Sequence, residues 1–367
     1  MTSRVESSLN SQLDRIDRVR VAREARAVLR DQHITLSHGS GGKATHTLID
    51  ALFVPAFGDP ATDGFADAAT FSTNGIGSPR LAFTTDSYVV SPLFFPGGDI
   101  GALAVNGTIN DLAMSGALPL CLSLGLILEE GLEMDVLRRV VASLASAASA
   151  AGVRIVTGDT KVVPRGKADR LFINTSGVGI LREGVDLSAE LIRPGDAVIV
   201  SGDIADHGIA VMLAREALEL ETDIGSDSAP LHTLVDAILA ASPATRILKD
   251  PTRGGLASTL NEIARRANVG IVIDENVVPV KVEVRGACEI LGLDPFHIAN
   301  EGKLVAITPP EQAQAALAAM RAHPLGLGAA IIGTVHAGPE GMVVLKTPVG
   351  GSRVLDMLVG DPLPRIC

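Results

Sequence analysis

Val153-Arg154-Ile155-Val156-Thr157-Gly158-Asp159-Thr160-Lys161 reads as a short apolar strand that delivers a carboxylate to a glycine-marked end. Ala197-Val198-Ile199-Val200-Ser201-Gly202-Asp203 repeats the device further on. Between them Arg193-Pro194-Gly195-Asp196 interrupts any regular element, so a domain boundary falls between Leu181 and Gly195. The echo is short. It points to a shared architecture in the two halves, not to a sequence repeat. A chain of 367 residues is also too long for one ordinary core. Two α/β domains follow.

Working outward, residues 134–151 pattern as a helix stopped at Gly152, and 120–128 as the strand before it. Residues 80–87 form another apolar strand and carry Asp86. Pro96-Gly97-Gly98-Asp99 opens a helix that Asp99 can cap, running through Leu103, Ile109 and Leu112 to about Gly116. Asn106 and Asn110 share one face of it, and Asp111 lies about 100° further round. Residues 171–180 close the first half. Downstream, Ile247-Leu248-Lys249-Asp250-Pro251-Thr252-Arg253-Gly254-Gly255 ends a strand and starts a helix through Leu256, Leu260 and Ile263. Strands are expected at 271–274, 303–308, 329–335 and 342–347, helices at 285–291 and 311–323. Beyond Thr347 little regular pattern remains. Residues 1–31 pattern as an amphipathic helix outside the main domains, or, the better reading, a solvated appendage.

Composition narrows the function. With 47% hydrophobic and 20% charged residues the chain is globular. A net charge of −11 argues against a nucleic-acid partner, which wants a basic face. A phosphate ligand would need backbone N–H groups, a few placed cations, or a bridging metal. Cys121, Cys288 and Cys367 are far apart and in no CxxC pair, which excludes a zinc ribbon and argues against a disulfide framework. The N-terminus lacks a basic-then-apolar leader pattern, and no apolar run reaches membrane length. The expectation is a cytoplasmic protein with no membrane partner.

Several features carry chemistry. His38-Gly39-Ser40-Gly41-Gly42-Lys43 is a glycine-rich turn running into a helix at 44–53. Gly41, Gly42 and Lys43 suit an anion cradle; a plain turn is the other reading. It is not a Walker A loop, since Ala44 follows Lys43 and Ser37 stands where the first glycine would be. Gly254 and Gly255 mark a second helix start of the same kind. Asp86, Asp111, Asp159 and Asp250, taken singly, are turn formers or helix caps. Together, beside glycine breaks, they suit Mg2+, which takes hard oxygens and few carboxylates plus substrate phosphates. These four are the metal candidates. Asn300-Glu301-Gly302-Lys303 sets a carboxylate and an amine around a glycine. Asp361-Pro362-Leu363-Pro364-Arg365-Ile366-Cys367 carries a thiol on an arm that two prolines keep extended, or is simply a frayed end. His38 and His207 are core or surface histidines, or polar liners of a site.

The elements HGSGGK, TTDS, NDLAMSGA, VTGDTKV, DPTRGG, NEGKL and the terminal PLPRIC stand in an order that resembles the hydrogenase-maturation carbamoyl dehydratases, the HypE family, from Leu36 to Cys367. PLPRIC separates that family from the aminoimidazole-ribonucleotide and selenophosphate synthetases. The resemblance implies a two-domain PurM-like subunit with mixed α+β sheets. Its parts would be an N-terminal extension (1–34), an ATP-binding and dimerisation domain (35–185), a second α/β domain (190–350) and a flexible tail (351–367). It also implies a homodimer in which N-terminal strands of both subunits build a shared barrel with ATP beside it. The nucleotide would be held by Gly41, Gly42, Lys43, Asp86, Asn110, Asp111, Asp159, Thr160, Asp250 and Gly254, with Mg2+. The implied reaction converts a carboxamide on the Cys367 thiol, loaded by a carbamoyltransferase, into a thiocyanate. The cyano group then passes through a scaffold complex to the iron of a [NiFe]-hydrogenase. Glu301 is the expected base near nitrogen, and Lys161 its partner or a phosphate clamp. Two other readings stay open: a related ATP-dependent small-molecule synthetase, or a nucleotide-binding maturation scaffold without activity.

Overall fold

Leu, Ile and Val runs in both halves pair into two mixed sheets. The computed structural model describes residues 31, 33–53, 56, 67–73, 79–216, 223–358 and 365–367. The amphipathic pattern of residues 1–30 and the prolines at 362 and 364 lie outside the described residues. In chain order the first half holds α1 (Lys43–Leu48), β1 (Ala69–Ser72), β2 (Arg80–Tyr88), the ribbon β3 (Phe94–Phe95) and β4 (Gly98–Asp99), α2 (Ile100–Met114), β5 (Ala117–Glu129), α3 (Met134–Ala150), β6 (Arg154–Val163) and β7 (Leu171–Leu181). Its five-stranded sheet has the order β1-β2-β7-β5-β6. β5 and β6 run parallel and the other neighbours antiparallel.

Asp99 starts α2 as expected: its Oδ1 accepts from the Gly101 and Ala102 N–H groups at 2.7 and 3.1 Å. That helix is buried almost all round, because the first sheet lies on one side and the second half of the chain on the other. Burying Ile100, Leu103 and Ile109 contributes roughly 1.5–3 kcal/mol each. α2 and α3 cover one face of the sheet. On the other face Phe83, Leu118 and Ile127 are exposed, and β6, with Val156 and Val162 exposed, forms an open edge.

The second half contains β8 (Ala197–Val200), α4 (Asp206–Glu216), α5 (His232–Ala241), β9 (Ile247–Lys249), α6 (Gly255–Ala267), β10 (Gly270–Asp274), α7 (Val282–Leu291), β11 (Val305–Thr308), α8 (Pro310–Ala322), β12 (Ala330–His336), β13 (Met342–Lys346) and β14 (Ser352–Val354). The sheet order is β14-β13-β10-β12-β8-β11-β9. β8 and β11 are buried along their whole length, since α6 packs Leu256, Leu260 and Ile263 on one face while α5 and α8 cover the other. No helix among the described residues is long and apolar enough to cross a membrane.

Two expectations need correction. The glycine-rich turn and α1, assigned from sequence to the first domain, pack on the second half: the Lys43 N–H donates to the Leu358 carbonyl at 3.3 Å, and His46 meets Glu262 at 3.1 Å. The tail expected to be flexible from residue 351 holds the strand β14, a buried Leu355 and a docked end, Arg365–Cys367. Single apolar anchors produce this docking, and they leave no period to read.

Candidate active site at the seam between the two domains

Strand alternation on β2 turns Ala82, Thr84, Asp86 and Tyr88 toward α2. The Thr84 hydroxyl donates to Asp111 Oδ2 at 2.7 Å, and the Tyr88 hydroxyl to Asp86 Oδ2 at 3.0 Å. From the second half, Asp250 follows β9. It meets Asp111 and a further acid, Asp67, so that one oxygen of each lies within 4.8 Å of the others.

Crowded carboxylates in a dry place resist ionisation. Burial, then Asp67, pushes Asp250 up to about 8. Burial, then Asp86 and Asp250, holds Asp111 well above the usual carboxylate range. Lys249 pairs with Asp67 and, at 3.4 Å, with Glu262. Burial works against its charge, but these two acids outweigh it and keep it protonated. Three carboxylates held this close are hard oxygen donors of the kind Mg2+ takes, and Asp67, Asp111 and Asp250 are the residues that would hold it.

Glu301 sits on the same seam. Its N–H donates to Asp227 Oδ1 at 3.0 Å, and its carbonyl accepts from Asn110 Nδ2 at 3.2 Å. The following glycine is required here, because a Cβ on Gly302 would fall 1.7 Å from the Asp227 carbonyl oxygen. Lys303 does not pair with Glu301; it reaches Asp227 at 3.2 Å. Glu301 Oε1 is buried and has no hydrogen-bond partner among the described residues. Burial, then Asp250, Asp227 and Asp86, raises its pKa well above the ordinary value. It is a basic carboxylate with one unused acceptor.

The glycine-rich turn closes over this seam. Gly41 has φ +72° and lies so near the next turn that a Cβ there would sit 2.9 Å from Arg253 Cβ. Gly42 precedes α1, and Lys43 pairs with Asp356 at 2.8 Å. Gly254, left-handed at φ +76°, caps α6. In this arrangement the two glycine turns pack on each other.

The chain's end enters from the other side. The Val89 N–H donates to an α-carboxylate oxygen of Cys367 at 3.1 Å, and the Ser91 N–H to the Arg365 carbonyl at 3.2 Å. Arg215 Nη2 donates to that same carbonyl at 2.7 Å, while Arg365 pairs with Asp169. Ile366 and Cys367 are buried, and Ser40, Arg253, Gly254, His297 and Cys367 line a cavity of about 60 Å³. The charge of Cys367 is the largest influence on Arg253; with Asp86 and Glu301 it holds that guanidinium protonated against the cost of burial.

Of the residues singled out from sequence, Asp86, Asp111, Asp250, Glu301, Gly41, Gly254 and Cys367 converge. Asn110 does not offer itself to a ligand. Its Nδ2 meets the Ala229 and Glu301 carbonyls, and its Oδ1 accepts from the Leu231 N–H at 2.7 Å. It ties α2 to the second domain. Asp159, Thr160 and Lys161 lie exposed on β6, with Asp159 and Lys161 paired at 2.8 Å, and stand apart from the buried acids. Sequence reading missed Asp67, Lys249 and Arg253. Arg253 stands inside a quoted motif, whereas Asp67 follows a stretch without period.

The comparisons agree with this organisation. The family description "AIR synthase related protein, N-terminal domain" matches residues 66–181, and "AIR synthase related protein, C-terminal domain" matches 193–346. A carbamoyl dehydratase HypE of Azotobacter vinelandii is 54% identical over 343 residues, covering 94% of this chain and all of the relative. A crystal structure of the hydrogenase maturation protein HypE in complex with ATP aligns at TM-score 0.77 with 50% identity, over 91% of this chain and 100% of that one. A HypE–HypF complex aligns at TM-score 0.79 with 47% identity, over 85% and 99%. With two PurM-like domains and relatives matched along their full length, the chain belongs to the HypE family of hydrogenase-maturation carbamoyl dehydratases.

Proposed function

We propose that this enzyme uses ATP to dehydrate a carboxamide carried on its own Cys367 thiol, giving a thiocyanate for the iron centre of a [NiFe]-hydrogenase. The observation that carries the reading is the shared cation. Arg253 lines the same small cavity as Cys367, and the charge of Cys367, with the carboxylates of Asp86 and Glu301, holds the guanidinium protonated, so the thiol end and the acid group belong to one electrostatic unit. The 60 Å³ cavity beside Cys367 has room for the few heavy atoms of a carboxamide.

The reaction converts R–S–CO–NH2 and ATP into R–S–C≡N, ADP and phosphate. The C–O bond breaks with its electrons on oxygen, and the nitrogen gives up both protons. ATP supplies the phosphoryl group that lets oxygen depart as phosphate, and Mg2+ offsets the charge. Asp67, Asp111 and Asp250 would hold the metal. Arg253 steadies the oxygen as it gains negative charge. Glu301 takes one nitrogen proton on Oε1, the acceptor left unused, the other leaves with the departing phosphate, and the raised pKa of Glu301 suits a base. Gly41, Gly42 and Lys43 border the nucleotide. A cavity of about 320 Å³, lined by Asp67, Arg80, Lys249 and Arg266, is of a size for it.

The loading partner is a carbamoyltransferase and the receiving partner an iron-cyanide scaffold complex. The solved HypE–HypF pair and the HypE–ATP complex support the transferase and the nucleotide. The assembly is a homodimer. The bare apolar face of the first sheet and the open β6 edge are the surfaces a second copy would cover, and they carry Asp159, Thr160 and Lys161.

Intact-mass measurement on the terminal peptide tests the reading. With the transferase and carbamoyl donor, Cys367 gains a carbamoyl group; added ATP then removes the elements of water. Cys367→Ala that still supported ATP-driven dehydration would overturn it.

A further inference from the structure

We infer that His207 is a positioning residue that grips the end of the chain and holds the Cys367 thiol in register with the acid group. His207 lies near the start of α4 and is fully buried. Its Nε2 is 3.0 Å from the Ile366 carbonyl oxygen. A carbonyl only accepts, so Nε2 carries the proton and donates. Burial pulls the imidazole pKa down, and the ring is neutral. Nδ1 is therefore bare, and accepts from the Ser226 hydroxyl at 2.8 Å. Ser226 Oγ in turn accepts from the Ser228 N–H at 3.1 Å. Every donor in this relay has one acceptor, and the tautomer is fixed. Phe95 stands edge-on to the imidazole, with centroids 5.5 Å apart.

The segment that orients His207 also orients the base. Asp227 accepts from the Glu301 N–H, Ser228 Oγ accepts from Asn106 Nδ2 at 3.1 Å, and the Ala229 carbonyl accepts from Asn110. Residues 226–229 thus grip the thiol end on one side and Glu301 on the other. Their spacing is set by one four-residue stretch of backbone. This is the arrangement expected where two groups must meet within a fraction of an ångström.

The first readout is independent of the dehydratase reading: the rate at which iodoacetamide alkylates Cys367 in the full-length, unloaded protein, followed on the terminal peptide by mass. His207→Phe keeps a ring but removes the donor, and leaves the Ile366 carbonyl without its partner. Alkylation should rise about tenfold. His207→Gln, whose amide N–H replaces Nε2–H, should stay within about twofold of wild type. Ser226→Ala should fall between them, and it carries the test if the Phe variant melts early. An unchanged rate in both His207→Phe and Ser226→Ala, or a Gln variant as fast as Phe, overturns the inference.

The second readout rests on the proposed reaction: the ATP-driven loss of water per carbamoylated chain, which should slow in the same order, Phe then Ser226→Ala then Gln. Wild-type protein that loads but never dehydrates would defeat the proposed function while leaving the alkylation result standing. Faster alkylation with an unaltered dehydration rate would remove the positioning role.

Discussion

Asp111 and Asp159 are both aspartates close to a glycine break, yet one is half-buried among other carboxylates and the other stands in solvent beside a lysine. The first belongs to a group that a single chain assembles from both its domains. Like charges held there without water raise one another's pKa, an arrangement worth keeping only if a cation or phosphate arrives to relieve it. The second is a two-residue pair on an open strand edge. Lys161, first by hydrogen bond, holds Asp159 below the usual carboxylate range. Nothing around it needs relief. An acid group that costs stability is ready-made for a ligand; a satisfied surface pair becomes part of a site only when another surface covers it.

The largest effects should come from the buried group. Asp111→Asn or Asp250→Asn removes a proposed metal ligand and should lower ATP-driven dehydration more than about 100-fold. The metal-free variants should melt no lower than wild type, because the amide replaces a group whose ionisation this site disfavours. Glu301→Gln should cost about 10²- to 10⁴-fold in the same assay, as expected of a lost general base, while ATP still binds. Calorimetric titration with ATP beside the mass assay separates these outcomes. Loss of ATP binding in Glu301→Gln would move that residue from base to ligand.

A smaller effect concerns pH. Asp250 binds its proton more tightly in the folded chain, at about 8, than at its ordinary 3.8. Between those values the native state holds more protons than the unfolded chain. The stability this contributes is fully present below the lower value and is lost as pH rises through the upper one. The metal-free protein should therefore melt at a lower temperature near pH 8 than near pH 6. Mg2+ needs deprotonated ligands, so adding it should raise the midpoint more at the higher pH. Equal shifts at both pH values would show that these carboxylates do not hold the ion.

This contrast also marks how far the amino-acid pattern carries. The helix at Ile100–Met114 and the one at Met134–Ala150 are legible because Asp99 caps the first and Gly152 ends the second. Both are local signals. Asp86, Asp111 and Asp250 are legible as acids at element ends, but nothing in their spacing separates them from Asp159. Only the packing of α2 between two domains does. Asn110 sits on the right helix, and its neighbours are backbone carbonyls contributed from 119 and 191 residues away. The end of the chain is the hardest case. Ile366 is one apolar residue after two prolines, and its docking depends on the Val89 and Ser91 backbone in the other domain. Arg253 acquires a role only once Gly41 and Cys367 are known to flank it.

The smallest expected effect on stability, and the sharpest test of the contrast, lies with the exposed pair. Asp159→Ala should leave the melting temperature within about 1 °C, since exposed ion pairs contribute little. If β6 of one copy serves the seam of the other, the same substitution should still lower dehydration, by about tenfold. Complementation decides how. Chains carrying Asp159→Ala keep their thiol, and chains carrying Cys367→Ala keep their β6 pair. Co-expressed as mixed dimers, the first kind would borrow the Asp159 of the second, and its terminal peptide would lose water faster than in the Asp159→Ala homodimer. Were β6 to serve its own chain, mixing would rescue nothing. The exposed pair would then be as separate from the chemistry as it is from the buried acids.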